Sequence, residues 1–273
     1  MSSKTFVLPE IEKNTIEELS RQLIKANAEL KKLQNEREMI FANISHDLRA
    51  PMTAIRSAVD LALSEENPSI EDLKSTIELV DRRSKTLEAL VNDMYFLYSV
   101  SNVPQSLVFE KIEAAPFLEE YFYDIQMDTK FDEFELSIDI NQGTDCVINI
   151  DVQKMIRVLD NLFSNAARYS LAGTVENRVG KPMIKFRASQ NNDKLVIYVI
   201  DNGPGIPEKD LPYVFMRTYT VSKARTPETG KNGSGLGLAI AKAIIEKHEG
   251  TIECRSELGK GTEFIISLPI AKV

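Results

Sequence analysis

The sequence predicts a dimeric helical hairpin, preceded by a coiled coil and followed by an α/β domain. A heptad repeat runs for four heptads from Ile16, a second helical pattern follows a break at Pro68, and short strands alternate with helices after residue 103. Hydrophobic residues make up 43% and charged residues 27% of the 273 positions, as in a folded globular protein.

The two N-terminal helices are predicted from their apolar spacing and from the break between them. Apolar residues step by three and four from Ile16 to Ile44, and the same kind of face continues beyond. Pro68 cannot occupy a helix interior, and Ser69 with Asp72 is a typical N-terminal cap for the second helix. Because a hairpin of two amphipathic helices has too little core alone, we expect a dimer that forms a four-helix bundle.

The remainder of the chain shows strand and helix patterns that predict a mixed sheet with helices on one face. Strands are expected at 107–109, 135–140, 146–150, 183–188, 195–200, 251–255 and 263–268, and helices at 114–127, 152–170 and 236–248. The predicted domains are a coiled-coil helix at 1–38, the hairpin at 39–103 and the α/β domain at 104–273.

Charge and hydropathy exclude several classes of protein. Lys and Arg number 33 against 41 Asp and Glu, a net charge of −8 without a basic stripe, so direct nucleic-acid binding is not expected. No apolar stretch approaches the roughly 20 residues of a membrane span, and residues 1–10 lack a signal-peptide core. This favours a reducing compartment, in which the isolated Cys146 and Cys254 are inert thiols rather than a disulfide or a metal pair.

His46 lies on the first helix at about 200° from the apolar Ile44, so it is expected to face solvent. An ordinary surface histidine would account for this position when it is considered alone. The run at 41–53, which includes Asp47 and Pro51, resembles the phosphoacceptor box of sensor histidine kinases.

A polar stripe accompanies the buried face of the helix at 152–170. Asn161, Asn165, Arg168 and Tyr169 stand at i, i+4, i+7 and i+8. Amide oxygens suit Mg²⁺, arginine can hold a phosphate and tyrosine can lie against a base, although a solvated helix face would give the same pattern.

Two glycine-containing segments follow. The apolar strand at 195–200 runs into Asp201 and the glycines of 203–205, which places a carboxylate at the base of a pocket. The glycines of 233–237 open a helix whose free N–H groups can bind phosphate, and the basic stretch before them is interpreted as a mobile lid.

These segments stand in the order and spacing of the motifs of the histidine-kinase ATPase domain. Residues 161–170 correspond to the N box, 201–207 to the first glycine box, Phe215 to the F box and 233–237 to the second glycine box. With the His46 box they extend over most of residues 41–268, and the chain is identified by this resemblance as a member of the sensor histidine kinases. The resemblance implies a Bergerat-type α/β sandwich that binds ATP with Mg²⁺.

The resemblance also implies roles for individual residues. Asp201 would accept the adenine amino group with Thr262 helping through water, and Asn165 would ligate Mg²⁺. His46 would attack the γ-phosphoryl group as neutral imidazole, with Asp47 holding its far nitrogen. The other implied nucleotide contacts are Asn161, Arg168, Tyr169, Gly203, Gly205, Ile206, Lys223, Arg225, Gly233, Gly235, Leu236 and Gly237.

The expected function is therefore a homodimeric sensor histidine kinase core that passes phosphate from His46 to an Asp of a response regulator receiver domain. Ala50 stands where the family usually has Thr or Asn, and alanine cannot hydrogen-bond water, so phosphatase activity towards the regulator is expected to be weak. We expect the chain to be the cytoplasmic portion of a membrane-anchored sensor. One alternative is a nucleotide-binding dimeric scaffold without catalysis. Another is an ATPase clamp of the gyrase or chaperone class, which would need no phosphoacceptor box.

Overall fold

A computed structural model describes residues 10–102, 107–140, 144–172, 181–217, 219 and 235–271. The chain divides into two compact units, Met1–Thr53 and Ala54–Val273. Among the described parts of the chain, no helix is both long and apolar enough to cross a bilayer.

Two long helices, α1 (Glu10–Ser64) and α2 (Ile70–Asn102), occupy the N-terminal part and confirm the predicted break between them. The backbone N–H of Asp72 donates to Ser69 Oγ at 3.1 Å, and the Ser69 hydroxyl donates to the Asp72 carboxylate, which is the predicted cap. Large apolar side chains of the second unit remain exposed on both helices: Val59, Leu61, Leu63, Ile70, Leu73 and Ile77.

The α/β part contains a five-stranded and a two-stranded sheet in the described residues. Its elements are β1 (Glu110–Glu113), α3 (Ala114–Met127), β2 (Glu135–Ile140), β3 (Val147–Ile150), α4 (Val152–Ala172), β4 (Met183–Asn191), β5 (Lys194–Asp201), α5 (Gly237–Lys247), β6 (Thr251–Glu257) and β7 (Gly261–Pro269), with 3₁₀ turns at Thr129–Phe131 and Leu211–Tyr213. The large sheet has the order β2-β4-β5-β7-β6, in which β2 and β4 are parallel and the other neighbours antiparallel. This confirms the predicted mixed sheet.

The core lies between one face of the large sheet and the three helices. Alternate residues of β5, Leu195, Ile197 and Val199, are buried against α3, α4 and α5 because successive side chains of a strand point to opposite faces. On the other face, the Arg187 guanidinium lies 4.0 Å from the centre of the Tyr198 ring. Phe96 of α2 also belongs to this core, so the end of α2 packs with the α/β part.

One predicted strand was wrong. Residues 107–109 form no strand, because the Val108 N–H donates to the Asp151 carboxylate at 2.9 Å and pairing with β3 begins only at Glu110. The ends of the other predicted strands and helices of the α/β part differ from the observed ones by at most three residues.

Candidate active site

The polar stripe of α4 lines a cavity of about 130 Å³. Four predicted residues of the stripe, Asn161, Asn165, Arg168 and Tyr169, meet Gly235 and Gly237 there. The lining also includes Ser164, which lies in the N box but was given no role, and four residues outside the motifs: Asp93, Val214, Tyr219 and Leu238. Amphipathicity explains the geometry, since the apolar stripe of α4 faces the core and leaves this polar stripe towards the start of α5.

Asn161 of α4 lies close to the first turn of α5. A Cβ on Gly237 would stand 3.0 Å from Asn161 Oδ1, so glycine allows the first turn of α5 to approach α4. Asn161 Nδ2 is buried and has no hydrogen-bond partner in the described part of the chain. Because an unpaired buried donor destabilises a fold by about 1–3 kcal/mol, this amide fits a site that a polar ligand completes.

Asp201 stands at the end of β5 with 8% of its surface exposed. Its Oδ1 accepts a hydrogen bond of 2.8 Å from the Gly203 N–H, and it pairs in register with Thr262 of β7. A Cβ on Gly203 would lie 2.7 Å from Asp201 Oδ1 and 2.9 Å from Ser170 Oγ. Since Ser170 follows Tyr169 on α4, Gly203 brings the carboxylate close to the end of the helix that lines the cavity.

A serine of β6 holds the loop after Asp201. Ser256 Oγ accepts from the Ile206 N–H at 2.8 Å, donates to the Gly261 carbonyl at 2.6 Å and lies 3.0 Å from Thr262 Oγ1. This network places the glycine-containing loop beside Asp201 and Thr262. The predicted strand ended at residue 255, so the role of Ser256 was missed; the alternation of exposed and half-buried residues along β6 is the signal that would have indicated it.

Two pKa shifts describe the electrostatics around these residues. Burial, and to a smaller extent the Asp201 carboxylate, raises the pKa of the Cys254 thiol to about 12. On the cavity rim, the Tyr219 hydroxyl donates to Asp210 Oδ1 at 2.7 Å, and this bond raises the pKa of Tyr219. Cys254 therefore stays a neutral thiol at physiological pH, and Tyr219 a neutral hydroxyl.

The predicted site residues fall into four groups. Six line the cavity, whereas Asp201, Gly203, Gly205, Ile206, Leu236 and Thr262 are not part of its lining. Lys223, Arg225 and Gly233 lie outside the described residues. His46 and Asp47 are consecutive residues of α1; Asp47 is half-buried, and the His46 side chain is not among those that the structure describes.

Asp93 reaches the cavity from α2. Its Oδ1 lies 2.6 Å from Arg157 Nη2, and the Arg157 guanidinium carbon lies 3.8 Å from the centre of the Phe96 ring. No local pattern marks Asp93, because its partner is 64 positions away.

Two family models match the chain. The His Kinase A (phospho-acceptor) domain matches residues 36–102, and the histidine kinase-, DNA gyrase B- and HSP90-like ATPase matches residues 150–272, together more than two thirds of the chain. The chain belongs to the sensor histidine kinases. The ATPase match of this histidine kinase includes α4, Asp201, the start of α5 and Thr262.

A sensor protein is similar to most of this chain. Sensor protein SrrB of Staphylococcus aureus (strain NCTC 8325) is 33% identical over 237 residues, 87% of this chain and 39% of SrrB. The chain therefore spans about two fifths of the length of the curated relatives it matches.

The fold is also shared with solved histidine kinases. Acinetobacter baumannii AdeS matches with a TM-score of 0.60 and 23% identity over 83% of this chain and 98% of that one. ThkA, solved in complex with the response regulator TrrA, matches with a TM-score of 0.65 and 20% identity over 97% of this chain and 68% of that one. Full-length ShkA in complex with AMPPNP matches with a TM-score of 0.59 and 21% identity over 86% of this chain and 46% of that one.

Proposed function

We propose that this chain is the kinase core of a sensor histidine kinase that phosphorylates its own His46 from Mg-ATP and passes the phosphoryl group to an Asp of a response regulator. The observation that carries the proposal is the cavity between α4 and α5, where Asn161, Asn165 and Arg168 meet two glycines of a helix start. It occurs in a chain whose α1 carries His46 within the matched phosphoacceptor domain.

The nucleotide would be held by residues of α4, by β5 and the loop that follows it, by β7 and by the segment that leads into α5. Asp201 would accept the adenine amino group with Thr262 acting through water, and Tyr169 would flank the base. The other contacts would come from Gly203, Gly205 and Ile206 beside the base, and from Asn161, Arg168, Lys223, Arg225, Gly233, Gly235, Leu236 and Gly237 towards the phosphates.

The unpaired buried amide of Asn161 and the oxygen donor of Asn165 fit a site for phosphate with a hard divalent cation. Asn165 would ligate Mg²⁺, with Asn161 supporting it. Bound Mg²⁺ would neutralise charge on the phosphate oxygens. Arg168 would hold a phosphate oxygen in the position where the family usually has lysine.

The transfer step needs His46 as a neutral imidazole. One ring nitrogen forms a bond to the γ-phosphorus while the bond from that phosphorus to the bridging oxygen breaks, and the bonding electrons leave with ADP. Asp47 would accept a hydrogen bond from the other ring nitrogen and stabilise the positive charge that develops there. A receiver-domain carboxylate then takes the phosphoryl group from the phosphohistidine.

The partners follow from the helices and from the relatives. The exposed apolar residues of α1 and α2 favour binding to a second copy of the chain, so that two hairpins form a four-helix bundle. In this proposal the bundle is the domain 39–103. It follows a coiled coil at 1–38 and precedes the nucleotide-binding domain at 104–273. ThkA was solved with a response regulator, which supports such a partner here. We further propose that the kinase core acts in the cytoplasm as part of a membrane-anchored sensor; its similarity to a sensor protein, SrrB, supports a role in sensing.

Incubation with γ-labelled ATP and Mg²⁺ tests the proposal. We expect acid-labile, alkali-stable label on the wild-type chain and none on His46→Gln, while His46→Gln binds nucleotide as tightly as the wild type. Nucleotide binding without label on the wild type would favour the scaffold alternative. Label that persists in His46→Gln would contradict the role of His46.

A further inference from the structure

Three polar side chains stand side by side across the large sheet at the end of β5. Asp201 of β5 pairs directly with Thr262 of β7, and Thr262 pairs directly with Ser256 of β6. Directly paired residues of antiparallel strands have their side chains on the same face, about 5 Å apart. Asp201 and Thr262 are each 8% exposed, and Ser256 is half-buried. With so little water present, the directions of the hydroxyl protons decide which groups this row can bind.

The contacts of Ser256 determine where its own proton lies. Its Oγ is 2.6 Å from the Gly261 carbonyl oxygen, which can only accept a hydrogen bond. Two oxygens approach this closely when a proton lies between them, so the Ser256 hydroxyl donates to that carbonyl. The Ile206 N–H donates to Ser256 Oγ at 2.8 Å and occupies one of its two lone pairs. Ser256 therefore has one lone pair left and no second proton to donate.

The direction of the Thr262 proton follows by elimination. Thr262 Oγ1 lies 3.0 Å from Ser256 Oγ, within hydrogen-bond distance. Since the single proton of Ser256 is donated to Gly261, the proton between the two hydroxyls belongs to Thr262. Thr262 donates it to Ser256, and its own oxygen keeps two lone pairs that can only accept. The Asp201 carboxylate beside it is an acceptor as well.

A row that presents only acceptors selects hydrogen-bond donors on its ligand. We propose that Ser256 is a positioning residue that fixes Thr262 as an acceptor and thereby selects an amino group over a carbonyl oxygen at position 6 of a purine nucleotide. This inference rests on the proposed function, in which Asp201 and Thr262 receive the base. A 6-amino group donates to the row directly or through water, whereas a carbonyl oxygen there meets lone pairs without a proton. An unmade hydrogen bond of this kind in a buried site weakens binding.

The test is the ratio of the dissociation constants of inosine diphosphate and ADP, measured with Mg²⁺ by calorimetry on the full chain. Inosine differs from adenosine in its 6-carbonyl oxygen and in a proton on N1, and diphosphates avoid autophosphorylation. We expect inosine diphosphate to bind the wild type at least about tenfold more weakly than ADP. In Ser256→Ala this ratio should fall by about threefold to tenfold, because the Thr262 hydroxyl can then turn and donate to the carbonyl oxygen. Loosening of the loop alone would weaken both nucleotides alike and leave the ratio unchanged.

A matched control and a second background isolate the effect of the hydroxyl. Ser267 lies on β7 like Thr262 and is half-buried, but it is on the opposite face of the sheet, so Ser267→Ala should keep the ratio within about twofold of the wild type. Thr262→Val keeps the shape of the side chain and removes the hydroxyl. Ser256→Ala added to Thr262→Val should therefore change the ratio no further.

Ser256→Cys is a second variant that fills the same position with a weak donor and acceptor, and it should lower the ratio by at least about twofold. It provides the test if the Ser256→Ala chain does not fold. An unchanged ratio in either variant of Ser256 would overturn the proposal, as would a fall that persists in the Thr262→Val background or equal affinity of the wild type for the two nucleotides. Failure of the proposed function is distinguishable, because the wild-type chain would then bind neither diphosphate.

Discussion

His248 accepts, through Nε2, a hydrogen bond of 2.9 Å from the backbone N–H of Asp151, which lies 97 positions earlier in the chain. Its Nδ1 lies 2.7 Å from the Ile244 carbonyl, so the proton of the neutral ring is on Nδ1 and is donated to that carbonyl. The Asp151 carboxylate in turn accepts from the backbone N–H groups of Val108 and Lys154. This buried histidine therefore joins the end of α5 to the start of α4.

The stability of the α/β part is predicted to depend on pH through His248. Burial lowers the pKa of His248 below its ordinary value of 6.5, because the charged ring is poorly solvated. The contribution of neutral His248 to the free energy of unfolding is therefore fully present above pH 6.5, the pKa of an unfolded histidine. It is lost as the pH falls through the lowered pKa of the folded state. His248→Phe removes the acceptor, so we expect a loss of about 1–3 kcal/mol at pH 7.5 and a smaller loss at pH 5.5.

Urea unfolding at the two pH values measures this effect. His46→Gln is the control, because it removes the other histidine and should keep the pH dependence of the wild type. An equal loss in His248→Phe at both pH values would show that the neutral ring is not the origin of the dependence.

Two glycines with positive φ predict different responses to alanine. Gly205 has a φ of +71°, and a Cβ there would overlap the Glu257 carbonyl group, whereas Gly259 has a φ of +82° and a Cβ there would meet no described atom within 4 Å. Gly259→Ala should destabilise by about 1 kcal/mol from backbone strain alone. Gly205→Ala should destabilise by at least about 1 kcal/mol more, measured by urea unfolding. Equal effects would mean that the loop moves away from Glu257 without penalty.

Asp201→Asn is predicted to weaken nucleotide binding and leave the fold intact. The amide oxygen can still accept from the Gly203 N–H, but the charge that would receive the adenine amino group is gone. We expect the ADP dissociation constant to rise by about tenfold to a hundredfold, the range for a hydrogen bond to a charged group. Asp139→Asn, which removes a surface partner of Lys185, is the control and should bind as the wild type does. Wild-type affinity in Asp201→Asn would remove this residue from the site.

Ala50→Thr is predicted to raise phosphatase activity. Ala50 is exposed on α1 four positions after His46, and a threonine hydroxyl there can orient a water molecule that alanine cannot. Dephosphorylation of the phospho-regulator with ADP and Mg²⁺ should rise at least about fivefold, while autophosphorylation is unchanged. Rapid dephosphorylation by the wild type that Ala50→Thr leaves unaltered would contradict the expectation.

The spacing of apolar and polar residues along the chain predicted the ends of several helices and strands and the residues that share one helix face. The helix at Ala114–Met127 and the strand at Glu135–Ile140 have the predicted ends, and the alignment of Asn161 with Asn165 follows from their spacing on one helix. The order of the motifs predicted that α4 and the start of α5 would share a cavity, because the family resemblance supplied the long-range arrangement.

Contacts between distant segments were not predictable in the same way. Residues 107–109 have strand-like composition, yet the Asp151 carboxylate takes the Val108 N–H and the strand begins later. The position of Asp93 in the cavity lining could not be predicted from the nearby sequence. It depends on Arg157 and on cavity residues that lie mostly about 70 or more positions further along the chain. A helical heptad pattern assigns such a residue to a solvated face.

The spacing of Asp93 and Phe96 has a mechanical consequence. Both point from one side of α2 to Lys154 and Arg157, which are likewise one turn apart on α4, so turning α2 about its own axis by about 100°, the angle between neighbouring residues, carries both away at once. Shifting α2 along its axis would instead exchange one cation for the other beneath the ring. Rotation of α2 about its axis therefore breaks its contact with α4, whereas a shift of α2 along its axis does not.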